Sequence, residues 1–567
     1  MQTTKIFLMA ALALLTAACS NDDTNILTPV EQPAKSEGIP FTATISMGES
    51  ASTRALTEDT ENKKIVATWA TGEKVALIYT VGSTPTKTDA EVTKQADGTA
   101  TISATLETGA TNGSDVTIIY PSTAADGTTG KVLANLLTAQ DGTLATIASK
   151  YDVRKGTGKL SISGGKATVN NGTAGTTVAL TNQFAIWKLK LDNNAKNLSI
   201  MADDITIAGA TLGTAGKEFI VAVPAVSSKT VTIVANDESN NCYYFSKASV
   251  TIAAGKYYQS SPTMTALDGN DSNPLYKITA TSSVTIPDGK TVVLSGVNIS
   301  SGSITCNGSV TMILLGANTV TAAASKAAIQ ISSDKYTTLT ITGSGSLTAK
   351  GGKDAAGIGT NVADDTTLSG GNIVINGCTV HATGGEYAAG IGTGYATNNG
   401  KNTCGTITIN GGMVYAAGGE DAAAGIGTGS SLENATQTCG DIMITGGTVN
   451  ATGGYCAAGI GTGVAASMRL EPASNECGAI TIGTGVTSVI ATKGLDCPNS
   501  IGLGVEGSGG KQTCGTITFG TAQVFDGTAA TGTWTPNPMV ADTYGGLNLA
   551  ISTTTNTDDT WTLTPAP

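Results

Sequence analysis

Through most of this chain, short runs of apolar residues alternate with polar ones at a period of two, bounded by Gly, Asn, Asp and Ser. That pattern predicts β-strands. In the first half such runs fall at 74–79, 115–120, 184–191, 219–223 and 230–235. The run 184–191, Phe-Ala-Ile-Trp-Lys-Leu-Lys-Leu, puts apolar residues on one face and lysines on the other. Strands of this kind with turns between them predict antiparallel β-sandwiches, one over 39–181 and one over 182–267. Residues 268–274, Asp-Gly-Asn-Asp-Ser-Asn-Pro, read as a turn-rich linker.

From 275 to 567 the texture becomes repetitive. The phrase Ala-Gly-Ile-Gly places its Ile at 358, 391, 426 and 460, with a decayed copy at Ile501, at spacings of 33, 35, 34 and 41. A second phrase, typified by Ile-Thr-Ile-Asn-Gly-Gly-Met-Val-Tyr-Ala-Ala-Gly-Gly at 407–419, precedes each copy, and weaker copies reach back to Val284. A constant period of this size means one structural unit per repeat, stacked on the next. The period of two within the unit, with its Gly and Thr, excludes helical repeats. We therefore expect an all-β protein whose second part is a right-handed parallel β-helix with a C-terminal cap. Each coil would hold three strands, with inward pairs such as Ile407 and Ile409, then Val414 and Ala416, then Ile426, followed by a loop of roughly ten to twenty residues. Seven or eight coils are expected, about 4.8 Å apart.

The beginning of the chain reads as an export signal over 1–19. Lys5 precedes an apolar stretch, 6–15, too short to span a bilayer. Thr16-Ala17-Ala18-Cys19 looks like a lipobox, with Leu15 one place further back than usual, which makes Cys19 the expected lipidated N-terminus. Ser20-Asn21-Asp22-Asp23 resembles the acidic tag of surface-exposed Bacteroidales lipoproteins, and 20–38 reads as an extended tether. The expected location is the outer face of the outer membrane, held through the lipid anchor.

Charge and chemistry narrow the function. Residues 1–267 carry 21 Lys and Arg against 23 Asp and Glu, a net of −2, whereas 268–567 carry 10 against 20, a net of −10. An acidic half without a basic patch excludes nucleic acid as a partner. It leaves glycans, proteins or cations. Cys404, Cys439, Cys477 and Cys514 occupy one position of the repeat, so stacking would bring them within disulfide range or into a column of buried thiols. The outward positions of the second strand are Thr348, His381, Tyr415, Asn450 and Ile490. Of these His381, Tyr415 and Asn450 are the expected ligand-binding residues, Tyr415 by stacking on a sugar, although the same column also reads as an ordinary exposed face. Asp354, Glu386, Glu420, Asp421 and Asp496 gather after the second Gly-Gly. They form either a solvated corner or a structural calcium site, since calcium takes several oxygen ligands. With a single His and Arg469 as the lone Arg of this half, no catalytic set is legible, and no other cofactor is expected.

Five landmarks in the first half carry a family resemblance. Val66-Ala-Thr-Trp-Ala-Thr-Gly-Glu-Lys-Val75, Ile118-Ile-Tyr-Pro121, Leu180-Thr-Asn-Gln-Phe-Ala-Ile-Trp187, Ile205-Thr-Ile-Ala-Gly209 and Ala254-Gly-Lys-Tyr-Tyr258 resemble, in order, those of the fimbrillin family of Bacteroidales. The resemblance covers about 39–267. It implies two transthyretin-like β-sandwiches and a pilus subunit or related adhesin. It also implies proteolytic maturation after an Arg near the end of the first strand, where Arg54 stands, and donor-strand exchange with other fimbrillin subunits. The bulky second half would hinder donation of a C-terminal strand, which favours a fibre tip or accessory subunit. Over about 284–520 the phrases also resemble glycine-rich surface repeats of gut anaerobes associated with carbohydrate binding. The expected function is a cell-surface adhesin for a host or bacterial glycan or protein. The alternatives are a non-fimbrial glycan-binding lipoprotein and a β-helix polysaccharide-degrading enzyme.

Overall fold

The alternation read from the sequence becomes buried and exposed faces. Phe41, Ala43 and Ile45 of the strand Ile39–Ser46 point into a core, while the residues between them face outward. This is a computed structural model that describes residues 38–566 apart from 48–56, 60–63, 67–68, 70, 96–98, 126–136, 138, 172–176, 333–336, 468–471, 526–541 and 554–558. Cys19, the tether up to residue 37, Arg54 and Arg469 lie outside the described residues.

The first sheet runs, neighbour by neighbour, through Thr177–Ala179, Ile39–Ser46, Thr99–Leu106, Thr84–Lys94, Lys74–Val81, Asp115–Tyr120, Arg154–Ser163 and Thr181–Asn182. Lys166–Asn170 bridges Ile39–Ser46 to Arg154–Ser163, so the sheet folds back over its own core around Trp69, Tyr79 and Ile118. The second sheet is built on two long strands, Ala185–Ala202 and Ile205–Val223. Their pairing breaks register between Lys190 and Ala195, and each strand serves both layers of a sandwich. Val226–Asn236, Cys242–Ile252 and Thr265–Leu267 extend one end. Tyr257–Ser260 joins Ala185–Ala202 in parallel.

The second half is a parallel β-helix. One wall is a sheet of eight short parallel strands, from Val284–Pro287 to Ile501–Gly502, so eight coils are present among the described residues. Seven rungs at about 4.8 Å give a rod about 34 Å long. Ile304, Ile329, Ile358, Ile391, Ile426, Ile460 and Ile501 stand opposite one another in strict register and are fully buried. The glycine after four of these, Gly359, Gly392, Gly427 and Gly461, is as necessary as the isoleucine. Gly427 has φ +133°, and a Cβ there would lie 1.8 Å from the carbonyl oxygen of Gly461 on the next coil.

Two expectations about the coil are corrected. In two coils the first and second expected strands are continuous, as Asn372–Thr383 and Ile407–Ala417, whereas in others they stay separate, as Thr338–Gly343 and Ser346–Lys350 or Ile442–Ile444 and Gly447–Thr452. The stretch expected to be a loop supplies two further strands, such as Ala396–Thr397 and Lys401–Cys404, each paired to its equivalent on neighbouring coils. The backbone polar groups of a tightly stacked rod need partners all round the coil, and these strands provide them.

Both ends of the rod are closed. Tyr276 of the strand Leu275–Lys277 and Ile278 just after it plug the first coil. At the far end Asp559–Pro565 lies antiparallel on Val486–Thr492 and inserts Trp561 and Leu563 into the core.

Residues 268–274 do not separate two independent bodies. Leu267 and Leu275, on either side of them, enter one apolar cluster with Met201, Val234 and Cys242 of the second sandwich and Val293, Ile313 and Leu315 of the rod. Beside this cluster the buried hydroxyls of Thr206 and Thr342 share a 2.7 Å hydrogen bond. Gly343 N–H donates to Thr206 Oγ1 at 2.6 Å, and Ser344 Oγ donates to Leu198 O at 2.9 Å. The two sandwiches are joined in a similar way by the buried amide of Gln140, which donates to Ala222 O and accepts from Ala222 N. Residues 39–567 form one compact unit.

Two outcomes follow from these contacts. Ile426→Ala should lower stability by about 2–5 kcal/mol in urea denaturation of the chain, and Gly427→Ala should lower it at least as much. Ile313→Lys should leave both folds intact by circular dichroism, yet make the chain between 268 and 274 far more sensitive to limited proteolysis.

Candidate binding face

Each outward side chain of the rod is placed by the strand that carries it. Val380 and Ala382 are buried, so the residue between them, His381, must point to solvent. The same rule exposes Tyr415 between Val414 and Ala416, and turns Asn450 outward between Val449 and Ala451. Thr348, His381, Tyr415, Asn450 and Ile490 stand in register as one column, as the repeat spacing implied.

The geometry of His381 and Tyr415 was not legible in advance. Their rings lie parallel, 4.6 Å between centroids and 4° between planes. Each ring spends one face on the other, and the next residues of the column, Asn450 beside Tyr415 and Thr348 beside His381, stand on the other sides, so Tyr415 is not a free platform on which a sugar would stack. What the pair offers outward is polar: the tyrosine hydroxyl and the imidazole edge, side by side. In the next column Met413 is 44% exposed, and Tyr415 itself is 39% exposed.

The acidic corner behaves differently. Lys353 Nζ lies 3.6 Å from Glu386, and Asp496 accepts the Tyr455 hydroxyl at 2.8 Å, which raises the phenol to about 12. Burial pushes the carboxyl of Asp354 up, opposed by Lys353 and aided by Glu386. Asp421 pairs its backbone with Tyr455 on the coil above. Glu386 and Asp496 thus already have partners. Among the described residues no group of three His, Cys, Asp or Glu side chains comes together to hold a metal ion, and Asp354, Glu386, Glu420 and Asp421 are not brought into one site.

The interior carries a feature that the cysteine spacing revealed only in part. Cys404, Cys439, Cys477 and Cys514 form an in-register column of free thiols, the first three essentially inaccessible. Cys439 stands between Cys404 and Cys477 on the adjacent coils, whose thiols hold its own below the ordinary thiol range. Two residues before each cysteine stands a buried amide: Asn402, Gln437, Asn475 and Gln512. Asn402 Nδ2 donates to Asn361 O at 2.9 Å, Asn475 Nδ2 to Gly429 O and Val464 O at 3.1 Å, and Gln512 Nε2 to Gly463 O at 2.7 Å. These amides staple the strand that follows each Ile-Gly rung to the turns preceding it. The signal was present in the sequence as Asn or Gln, any residue, Cys, Gly, four times over.

Comparison with known proteins agrees with this architecture. A family described as "Beta helix repeat" matches residues 339–361, 373–395, 407–430 and 442–464. No curated protein sequence matches the chain significantly. Among solved structures the chain is similar to a candidate cell adhesion protein from Bacteroides fragilis, at 11% identity and a TM-score of 0.23, covering 41% of this chain and 97% of that one. It is also similar to the tip fimbrial protein Mfa3 from Porphyromonas gingivalis, at 11% identity and a TM-score of 0.23, covering 41% and 99%. At these values the likenesses carry no argument about function, which rests on this chain's own residues. No helix among the described residues is long and apolar enough to cross a membrane.

The thiol column gives a direct test. Neighbouring rungs of a parallel sheet stand about 4.8 Å apart, within the Cα separation a disulfide can span, yet all four thiols are free. Alkylation of the denatured chain without reductant should therefore modify Cys404, Cys439, Cys477 and Cys514 in full, as read by mass spectrometry.

Proposed function

We propose that this chain is a cell-surface adhesin, exported as a lipoprotein, whose sandwiches provide attachment and assembly and whose β-helix provides the binding face. The observation that carries this reading is the junction. The last strand of the second sandwich, Thr265–Leu267, leads within a few residues into the first strand of the rod, Leu275–Lys277, and both sides are packed into one cluster. A subunit built this way holds its rod at a set angle to whatever anchors the sandwiches.

Assembly would use the first strand. Ile39–Ser46 lies between Thr99–Leu106 and Thr177–Ala179 and buries Phe41, Ala43 and Ile45. Cleavage after Arg54 would allow that strand to leave, and the groove it vacates would accept a strand from another subunit by β-augmentation. The rod that follows Thr265–Leu267 hinders the chain from donating a strand in return, so a tip or accessory position follows. On the enzyme alternative, the column neighbours of His381 are Thr348 and Tyr415, with no carboxylate to orient the ring. That arrangement favours a binding module.

Mass spectrometry of surface material distinguishes the forms. A mature chain beginning at Ala55 supports pilin-like assembly, whereas a lipidated start at Cys19 supports the non-fimbrial lipoprotein. Immunogold labelling should place the protein at fibre ends, and labelling spaced along the whole fibre would overturn the terminal position. Release of reducing sugars by the purified chain would overturn the binding role itself.

A further inference from the structure

We propose that the outward strip running from Thr348 past His381 and Tyr415 to Asn450 is a docking site for an uncharged, extended polysaccharide lying along the rod axis. The inference rests on the adhesin reading and names its ligand class.

Charge is the first argument. The strip and the columns on either side of it carry Thr379, Met413 and Thr448 on one flank and Thr383, Ala417 and Thr452 on the other. Lys350, at its lower margin, is the only charged residue in these three columns. This neutral strip sits in a half of the chain with ten more acidic than basic residues, and its carboxylates gather instead at the corner of Glu386, Glu420 and Asp421. A polyanion would meet no paired cations here, which its carboxylates or sulfates need, and would be repelled by the corner. A polybasic partner would find its counter-charges off the strip.

The second argument is chemistry. The strip offers hydroxyls, an amide, an imidazole edge and a phenol, with Met413 as the exposed apolar contact. Short polar side chains around a tyrosine and a methionine suit a ligand that is covered in hydroxyls and has small apolar patches. Because the facing sides of His381 and Tyr415 are used on each other, recognition runs through their edges, by hydrogen bonds.

Direction follows from spacing. Along the axis the outward groups repeat about every 4.8 Å, while across the strands they repeat about every 6.6 Å. The axial repeat is close to the length of one hexose in an extended chain. The observed 4.6 Å between the two ring centroids keeps that interval. From Thr348 to Asn450 there are three rungs, about 14 Å, room for three or four sugars. The docked sandwich borders the corner of the lower coils, where Thr206 closes over Gly343 and Gly377, and leaves the strip beyond it open.

The test is affinity electrophoresis of the purified full chain through gels containing hydroxyethyl cellulose, galactomannan or polygalacturonate. At least one of the two neutral polymers should retard the chain, and polygalacturonate should not. Tyr415→Ala and His381→Ala should each weaken retardation at least tenfold. Tyr415→Phe should weaken it comparably, because the hydroxyl is the reading group. Tyr455→Phe, an exposed tyrosine at the acidic corner, should leave it unchanged. Circular dichroism of each variant guards against misfolding. Retardation by polygalacturonate alone, by none of the polymers, or equally in Tyr415→Ala overturns the proposal. Adherence of the producing cells is measured in parallel. Adherence that survives without polysaccharide binding overturns the ligand class and leaves the adhesin reading standing, whereas loss of both removes both.

Discussion

Register between one coil and the next is the constraint on which the rest of this protein depends. Each rung of the rod must present its amides to the rung above at the spacing of a β-ladder, and a residue out of step would turn a core side chain to solvent. That demand explains why the Ile-Gly pairs recur with so little variation. The isoleucine fills the core, and its glycine allows the backbone of the adjacent coil to come within contact distance. Variation is confined to places where the ladder tolerates it. The coil that carries Glu420 and Asp421 is longer than the one before it and takes up a residue at the corner, where Ala422 adopts φ +70°, leaving the strands on either side paired.

How far the fold could be read from the sequence follows from the same constraint. Side chains repeated at a fixed interval in register are visible as a motif, so the Ile ladder, the cysteine column and the outward column containing His381 were all legible. Two other features were present but passed over. The runs Val292-Val293-Leu294 and Met312-Ile313-Leu314-Leu315 are continuously apolar, unlike the alternating Leu339-Thr340-Ile341-Thr342 one coil later. Continuous apolarity means burial on both faces, and these are the coils on which the second sandwich rests. The strands Ala396–Thr397 and Lys401–Cys404 escaped because two to four residues are too short for a period to show.

The site was less legible than the fold. Sequence gave which residues point outward, but not how neighbours on successive coils divide their surfaces. His381 and Tyr415 are 34 residues apart, and nothing local to either says that one ring will cover the other. At the acidic corner the repeat left two readings open, a solvated corner or a calcium site, and the partners found there are local: Glu386 pairs with Lys353 and Asp496 with Tyr455. Stacked repeats bring equivalent residues together, yet local partners settle what each one does.

The packed seam between the second sandwich and the lower coils also has a mechanical meaning. A rod joined by a slack tether would swing under flow and pull on its anchor along the line of the chain. Here the lower coils are clamped over Val293, Ile313, Leu315 and Thr342, so a sideways drag on the free end acts as torque about that clamp. The free part of the rod beyond Thr342 spans five coil spacings, about 24 Å, and it bears on the strands 185–202 and 205–223. Load gathered at the outer face is thereby passed to the longest strands of the molecule.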